Sequence, residues 1–229
     1  MIGSMSALWL AAAVFVGLHL VPSTPLRPLL HKVLGESAYL GIFSVVAGAA
    51  ILWLAMAYAR APFVELWPSV PALRIVPLVA MPLVLVLLVC GYTTRNPTAV
   101  MQEKHFHAPD PAPGILKVTR HPIMWAVALW ALSHLVTRGD IASLILFGSL
   151  GALALLGMPL MDQRRAVRLG PLWGTFALTT SAIPFRAALE GRTRISLRDI
   201  GWWRIGLGLA LYAAFLAFHA TVIGVSPWP

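Results

Sequence analysis

Seven histidines punctuate a chain that is otherwise poor in reactive groups, and four of them, His19, His121, His134 and His219, stand in or at the edge of apolar runs. The stretch Thr119 to Asp140, TRHPIMWAVALWALSHLVTRGD, carries two of these: His121 between Arg120 and Pro122, and His134 near the far end. An ionisable group in an apolar helix is costly, which makes it a functional residue by default. Imidazoles inside an apolar bundle suit axial ligation of haem b iron, the porphyrin lying among apolar side chains. Each ring suits equally well a hydrogen bond to a backbone carbonyl. His121 and His134 cannot share one small site, because their separation along a helix axis is ~20 Å at about 1.5 Å per residue. On depth alone His19 meets His121, and His134 meets His219, the most dispensable of the four. The haem reading therefore rests on His19, His121 and His134.

Arg120 beside His121 supports a second chemistry. An imidazole and a guanidinium at a helix start, where membrane meets cytoplasm, suit a ligand's carboxylate or phosphate. Asp162, Arg164 and Arg165 are expected on that side too, with an internal Asp162–Arg165 pair as the alternative. Trp173 and Trp202 read as interface anchors. His105-Phe106-His107 has a metal-like spacing but no acidic or cysteine partner at ligand distance. There is no glycine-rich phosphate loop, nucleophile elbow or carboxylate pair, so hydrolase and kinase readings have no support.

The elements that position these groups follow from composition. The 229 residues are 59% hydrophobic and 11% charged, with a mean hydropathy of +0.82. A soluble domain would carry about a quarter charged residues. The chain reads as one all-α domain, residues 1–229, a polytopic membrane bundle of about six helices. The spans run Met5 to Val21, Ala38 to Ala59, Leu73 to Tyr92, Pro122 to Val136, Ile141 to Met161 and Trp202 to Ile223. The third and fourth are the weakest. The fourth, short of the ~20 residues a span needs, pairs as a hairpin with the fifth. Pro77 and Pro82 predict kinks in the third. Gly41, Ser44 and Gly48 in the second, and Gly148, Gly151 and Gly157 in the fifth, favour close helix contact. Pro122 suits a first helical turn. The first run lacks the basic n-region of a cleaved signal and reads as a retained helix.

All 17 basic residues except Arg60, Arg74 and Arg138 fall at alternate ends of the spans, on one side. The positive-inside rule makes that side cytoplasmic and both termini periplasmic in a bacterial inner membrane. The same distribution accounts for the net charge of +9 without nucleic acid. The lone Cys90 excludes an internal disulfide.

Several motifs together resemble the NnrU family of bacterial integral membrane proteins. They are His19-Leu-Val-Pro-Ser23 with Arg27, Gly35-Glu36 with Tyr39, Thr94-Arg95-Asn96-Pro97, Arg120-His121-Pro122, Trp130-Ala-Leu-Ser-His134, Gly139-Asp140, Asp162-x-Arg164-Arg165, Thr180-Ser181, and Pro184-Phe185 followed by Gly191-Arg192. The resemblance implies a link to nitrite and nitric oxide metabolism in denitrifying bacteria, with respiratory or denitrification proteins as partners. Its motif residues Arg95, Arg120, Asp162 and Arg165 become site candidates beside the histidines. The chain is also similar to the 15-cis-zeta-carotene isomerases, haem b enzymes whose histidines would fall on His19 and His134. Ala131 stands where they carry a cysteine. A more distant likeness to isoprenylcysteine carboxyl methyltransferases implies S-adenosylmethionine as an alternative cofactor, held near His121. A non-catalytic assembly partner of respiratory complexes is the third reading.

Overall fold

The computed structural model describes residues 3–99 and 102–229, and it is a helical bundle. The long helices are α1 (Met5–Leu20), α3 (Glu36–Arg60), α4 (Ile75–Thr93), α5 (Pro122–Thr137), α6 (Ile141–Leu169) and α10 (Trp202–Ile223). Short helices α2 (Leu26–Leu34), α7 (Pro171–Thr179), α8 (Arg186–Leu189) and α9 (Leu197–Ile200) gather at one end. We call this the basic end. Among the described residues the only β pairing is an isolated bridge, Glu65 to Asp140.

Five helices are long and apolar enough to cross a bilayer: Met5–Ser23, Glu36–Arg60, Pro71–Thr93, Ile141–Leu169 and Trp202–Ile223. The expected weakness of the third span is not borne out. The fourth, α5, has 16 residues, a length of ~24 Å against a hydrocarbon core of about 30 Å. It forms the expected hairpin with α6. At the corner, the Leu66 amide donates to the Gly139 carbonyl at 2.6 Å. Gly139 has no room for a side chain, since a Cβ there would overlap the Trp67 carbonyl oxygen. Asp140 then caps α6, accepting from the Ser143 amide at 2.9 Å and its hydroxyl at 2.7 Å.

One boundary differs from expectation. The fifth span was expected to end at Met161, but α6 continues through Asp162-Gln-Arg-Arg165 to Leu169. Arginines and glutamine are good helix formers, and a helix can carry charge once it has left the lipid. The stretch read as loop therefore presents its charges on a rigid helix. The segment after α4 also does more than connect: Phe106, Ala112, Ile115, Leu116 and Val118 are buried with Val84, Leu85, Cys90, Trp173 and Phe176. A second cluster joins Leu8, Ala11 and Phe15 of α1 to Leu54, Ala57, Ala131, Ile145 and Phe147.

The small residues divide. Gly151 and Gly157 face Ala131 and Met124 of α5, as expected. Gly41 and Gly48 meet nothing within 4 Å, because α3 packs through its buried residues Tyr39, Ala50, Leu54 and Ala57 instead. Pro82 lies inside α4 and cannot donate to the carbonyl four residues back. That carbonyl, of Leu78, accepts the Tyr212 hydroxyl of α10 at 3.0 Å. A neighbouring helix thus satisfies the freed group, as a water-poor environment demands. One turn before Tyr212, Gly208 lies against the Val86 backbone, where a Cβ would come within 2.7 Å of Val86 Cα.

Gly208→Val should therefore separate α10 from α4 and destabilise the protein by about 1–3 kcal/mol. Gly41→Ala should be neutral or slightly stabilising, and thermal unfolding of both variants in detergent checks the contrast.

Candidate functional site

Arg120 and His121 stand where the chain enters α5. The residue before a proline is pushed out of helical geometry, and His121 has φ −121° and ψ 54°. In this non-helical conformation, the Arg120 and His121 side chains both reach Asp162 on α6. The Arg120 Nε and Nη2 atoms lie 2.9 and 2.7 Å from Asp162 Oδ2, and His121 Nε2 lies 2.8 Å from Oδ1. The Arg120 guanidinium also sits over the Trp173 ring, 5.3 Å from its centroid. Trp173 is buried, not an interface anchor, whereas Trp202 is exposed.

The segment Thr180 to Phe185 laces across this node. The Arg120 amide donates to Ser181 O at 2.9 Å, the Thr119 hydroxyl to Ala182 O at 2.9 Å, and Trp125 Nε1 to Ala182 O at 2.7 Å. Phe185 takes a left-handed φ of 65° and its amide donates to Val118 O at 2.8 Å. His121 is 3% exposed. Burial holds its pKa below the ordinary 6.5, outweighing the hydrogen bond and charge of Asp162 that favour the proton. A neutral ring donating from Nε2 has Nδ1 left as its acceptor.

Arg165 does not pair with Asp162; its Nη2 donates to the Thr98 carbonyl. Thr98 directly follows the Thr94-Arg95-Asn96-Pro97 segment, and Asn96 Oδ1 accepts from the Thr98 amide and hydroxyl at 2.9 and 2.8 Å. Arg95 itself is exposed.

A cavity of about 570 Å³ lies toward the opposite end, walled by α4, α5, α6 and α10 and by Val225 to Pro227 of the C-terminal tail. Its apolar walls include Leu85, Trp130 and Phe147. Its polar members include His134, His219, Tyr212, Arg74 and Arg138. His134 Nδ1 donates to Trp130 O at 2.8 Å, and His219 Nδ1 to Val225 O at 2.8 Å. A carbonyl can only accept, so in the neutral rings each proton is on Nδ1 and each Nε2 is an acceptor. His19 is held the same way, with Nδ1 donating to Phe15 O at 2.8 Å. The carbonyl bonds allowed for in the sequence are present at His19, His134 and His219, where they orient the rings as ligating histidines are commonly oriented, whereas His121 bonds Asp162 instead.

Two groups of candidates thus emerge. Arg120, His121 and Asp162 meet at the basic end, and His134 meets His219 in the cavity. His19 joins neither: its ring packs on Phe15 and Phe43, and Pro22 just beyond it accepts from Arg164 at 2.8 Å. His134 packs instead on Phe147, 5.7 Å away. Phe147 and Arg164 are ~25 Å apart along α6, so His19 and His134 do not meet. Among the described residues no three His, Cys, Asp or Glu side chains converge to hold a metal ion, the His105-Phe106-His107 turn included. Arg74 and Tyr212 escaped notice because only the fold brings them to the cavity.

The family model for the NnrU protein matches residues 7–227. The chain belongs to the NnrU family. Among its relatives is the chloroplastic 15-cis-zeta-carotene isomerase of Arabidopsis thaliana, 38% identical over 81 residues, which is 34% of this chain and 22% of that enzyme. The Zea mays enzyme of the same name is 32% identical over 84 residues, 36% of this chain and again 22% of the enzyme. The matched stretch is thus under a quarter of either isomerase's length. No solved structure matches.

Asp162→Asn should leave Arg120 without its counter-charge and cost about 3–5 kcal/mol, read as a lower unfolding midpoint in detergent. His121 also predicts a pH dependence. The unfolded chain takes up the proton near pH 6.5 and the folded chain only below it. Stability should therefore fall as pH drops through 6.5 and be fully present above it. Replacing His121 with Gln should flatten that slope relative to wild type between pH 7.5 and 5.5.

Proposed function

We propose that this protein is a haem b-binding member of its family, seated in a bacterial inner membrane with the basic end cytoplasmic and both termini periplasmic. One observation carries the reading: two imidazoles from different helices, each anchored through Nδ1, line one apolar cavity. Its volume lies within the range of about 300–1,000 Å³ usual for small-molecule sites. His134 on α5 and His219 on α10 are the ligands we assign to the iron. Arg74 and Arg138 would supply cations for the propionates, and Trp130, Phe147 and Leu85 would supply the apolar walls. Haem iron bound here would bring one-electron and nitric oxide chemistry, consistent with the proposed link to nitrite and nitric oxide metabolism. The chain's own part is to fix the imidazole tautomers, exclude water and hold the carboxylates. Carotenoid isomerisation is the function named for the plant relatives, and a lipid-soluble polyene would suit the same cavity. S-adenosylmethionine is less well supported, since Arg120 and His121 are both engaged with Asp162.

Titration of the detergent-purified protein with haemin, followed by absorption spectroscopy, tests this. The expected result is a Soret band with low-spin features, weakened by His134→Ala or His219→Ala and unchanged by His19→Ala. No Soret shift in the wild type, or an unaltered spectrum in both cavity variants, would overturn the assignment.

A further inference from the structure

A second unclaimed set of polar groups lies at the basic end, beside the Arg120–Asp162 node. Arg165 is buried, 8% exposed, and its Nη1 has no hydrogen-bond partner. The Tyr39 hydroxyl, on a residue 5% exposed, also has none, nor does His31 Nε2, whose ring lies 4.3 Å from Tyr39. Arg164 Nη1 donates to the Pro22 carbonyl at 2.8 Å, in the turn just before Arg27 and α2, and Arg27 acts on Arg164, Arg165 and Arg168 as a like charge, as Arg164 does on Arg165. Tyr39 lies within the field of Arg164.

Asp162 acts on Arg165 as an opposite charge, but the nearby carboxylates are bonded elsewhere. Asp162 is held by Arg120 and His121, and Glu103 by Arg168. Glu36 is exposed and acts on Arg168. Among the described residues, Arg27, Arg164 and Arg165 have no ion-pair partner. Three clustered guanidiniums, one of them buried, repel one another and lose hydration, which is unfavourable without a compensating anion.

We propose that Arg27, Arg164 and Arg165 form a binding site for a phosphate group, with the Tyr39 hydroxyl at its Arg164 side. A phosphate has more acceptor oxygens than a carboxylate, and so can engage guanidiniums arriving from two helices together with a phenol donor. Two sources present that chemistry: a phospholipid headgroup and free phosphate. Leu26, Leu29 and Val33 are exposed along α2, as expected of a helix lying in the membrane interface, where headgroups are found.

The test uses the full-length protein in dodecyl maltoside, a detergent without phosphate. Thermal unfolding is followed while titrating inorganic phosphate against chloride at matched ionic strength, and separately phosphatidylglycerol against diacylglycerol. Saturable stabilisation by phosphatidylglycerol alone assigns the site to a lipid headgroup. Stabilisation by inorganic phosphate as well assigns it to the phosphate group itself. In either case Arg27→Gln and Arg164→Gln should each raise the midpoint concentration about tenfold, as expected for one lost charged hydrogen bond. Arg27 and Arg164 are only half-buried, so these variants keep the test valid if Arg165→Gln does not fold. Absence of stabilisation in both arms, or unchanged midpoints in both variants, would overturn the proposal.

Discussion

The Asp162 carboxylate is the constraint on which the basic end depends. It is one negative charge on α6 facing two groups from the start of α5, with Oδ2 on Arg120 and Oδ1 on His121. Arg120 is fixed further by Trp173 beneath it and by the Ser181 carbonyl on its backbone. Remove the carboxylate and a guanidinium is left largely buried without a counter-charge, among groups arranged to receive it. This explains why Arg120-His121-Pro122, Asp162 and Thr180-Ser181 form one sequence signature although 60 residues separate their ends. Each contributes to the same node.

The opposite end is held by different means. There the α5–α6 corner hydrogen-bonds the Val64–Trp67 strip, Gly139 O accepting from the Leu66 and Trp67 amides and the Ile141 amide donating to Val64 O, while Asp140 caps α6. The C-terminal tail closes over the cavity, with Arg74 Nη1 donating to Trp228 O at 2.7 Å and His219 to Val225. Between the two ends, close helix approach replaces polar contact, most tightly where Gly208 meets Val86. Apolar side chains gain little by leaving lipid for one another, so fit and a few hydrogen bonds, such as Tyr212 to Leu78, must hold the helices together.

Much of this was legible in the sequence because the bilayer imposes a simple length rule. Span positions and the hairpin joined by Thr137 to Asp140 followed from apolar runs and the charges that end them. Partners were less legible. Arg165 was the internal partner expected for Asp162, and the fold brings Arg120 and His121 to it instead. The end of α6 was misjudged because charge marks the edge of the lipid, whereas helix geometry persists for two more turns. The small residues of α3 gave a false cue, since spacing shows which face could pack but not which face does. His219 read as lying near the interface, and the tail residue it bonds, Val225, is brought to it only by the fold.

The two ends also differ in what they leave available. At the node, each atom of the carboxylate, and the guanidinium and imidazole donors facing it, has a partner within the chain, so the arrangement is complete without a ligand. In the cavity the carbonyl bonds to His134 and His219 complete only one side of each ring. A fixed tautomer with its second nitrogen unprotonated is a lone pair held in a defined direction by the protein. Leucine would fill the same space at lower desolvation cost, so packing alone does not account for imidazole at these positions. The two arrangements differ along the bundle axis: the basic end sets the register of α5 against α6, and the far end holds two imidazoles against a cavity by one nitrogen each. That register is also what carries His134, thirteen residues beyond His121 on the same helix, to the level of His219.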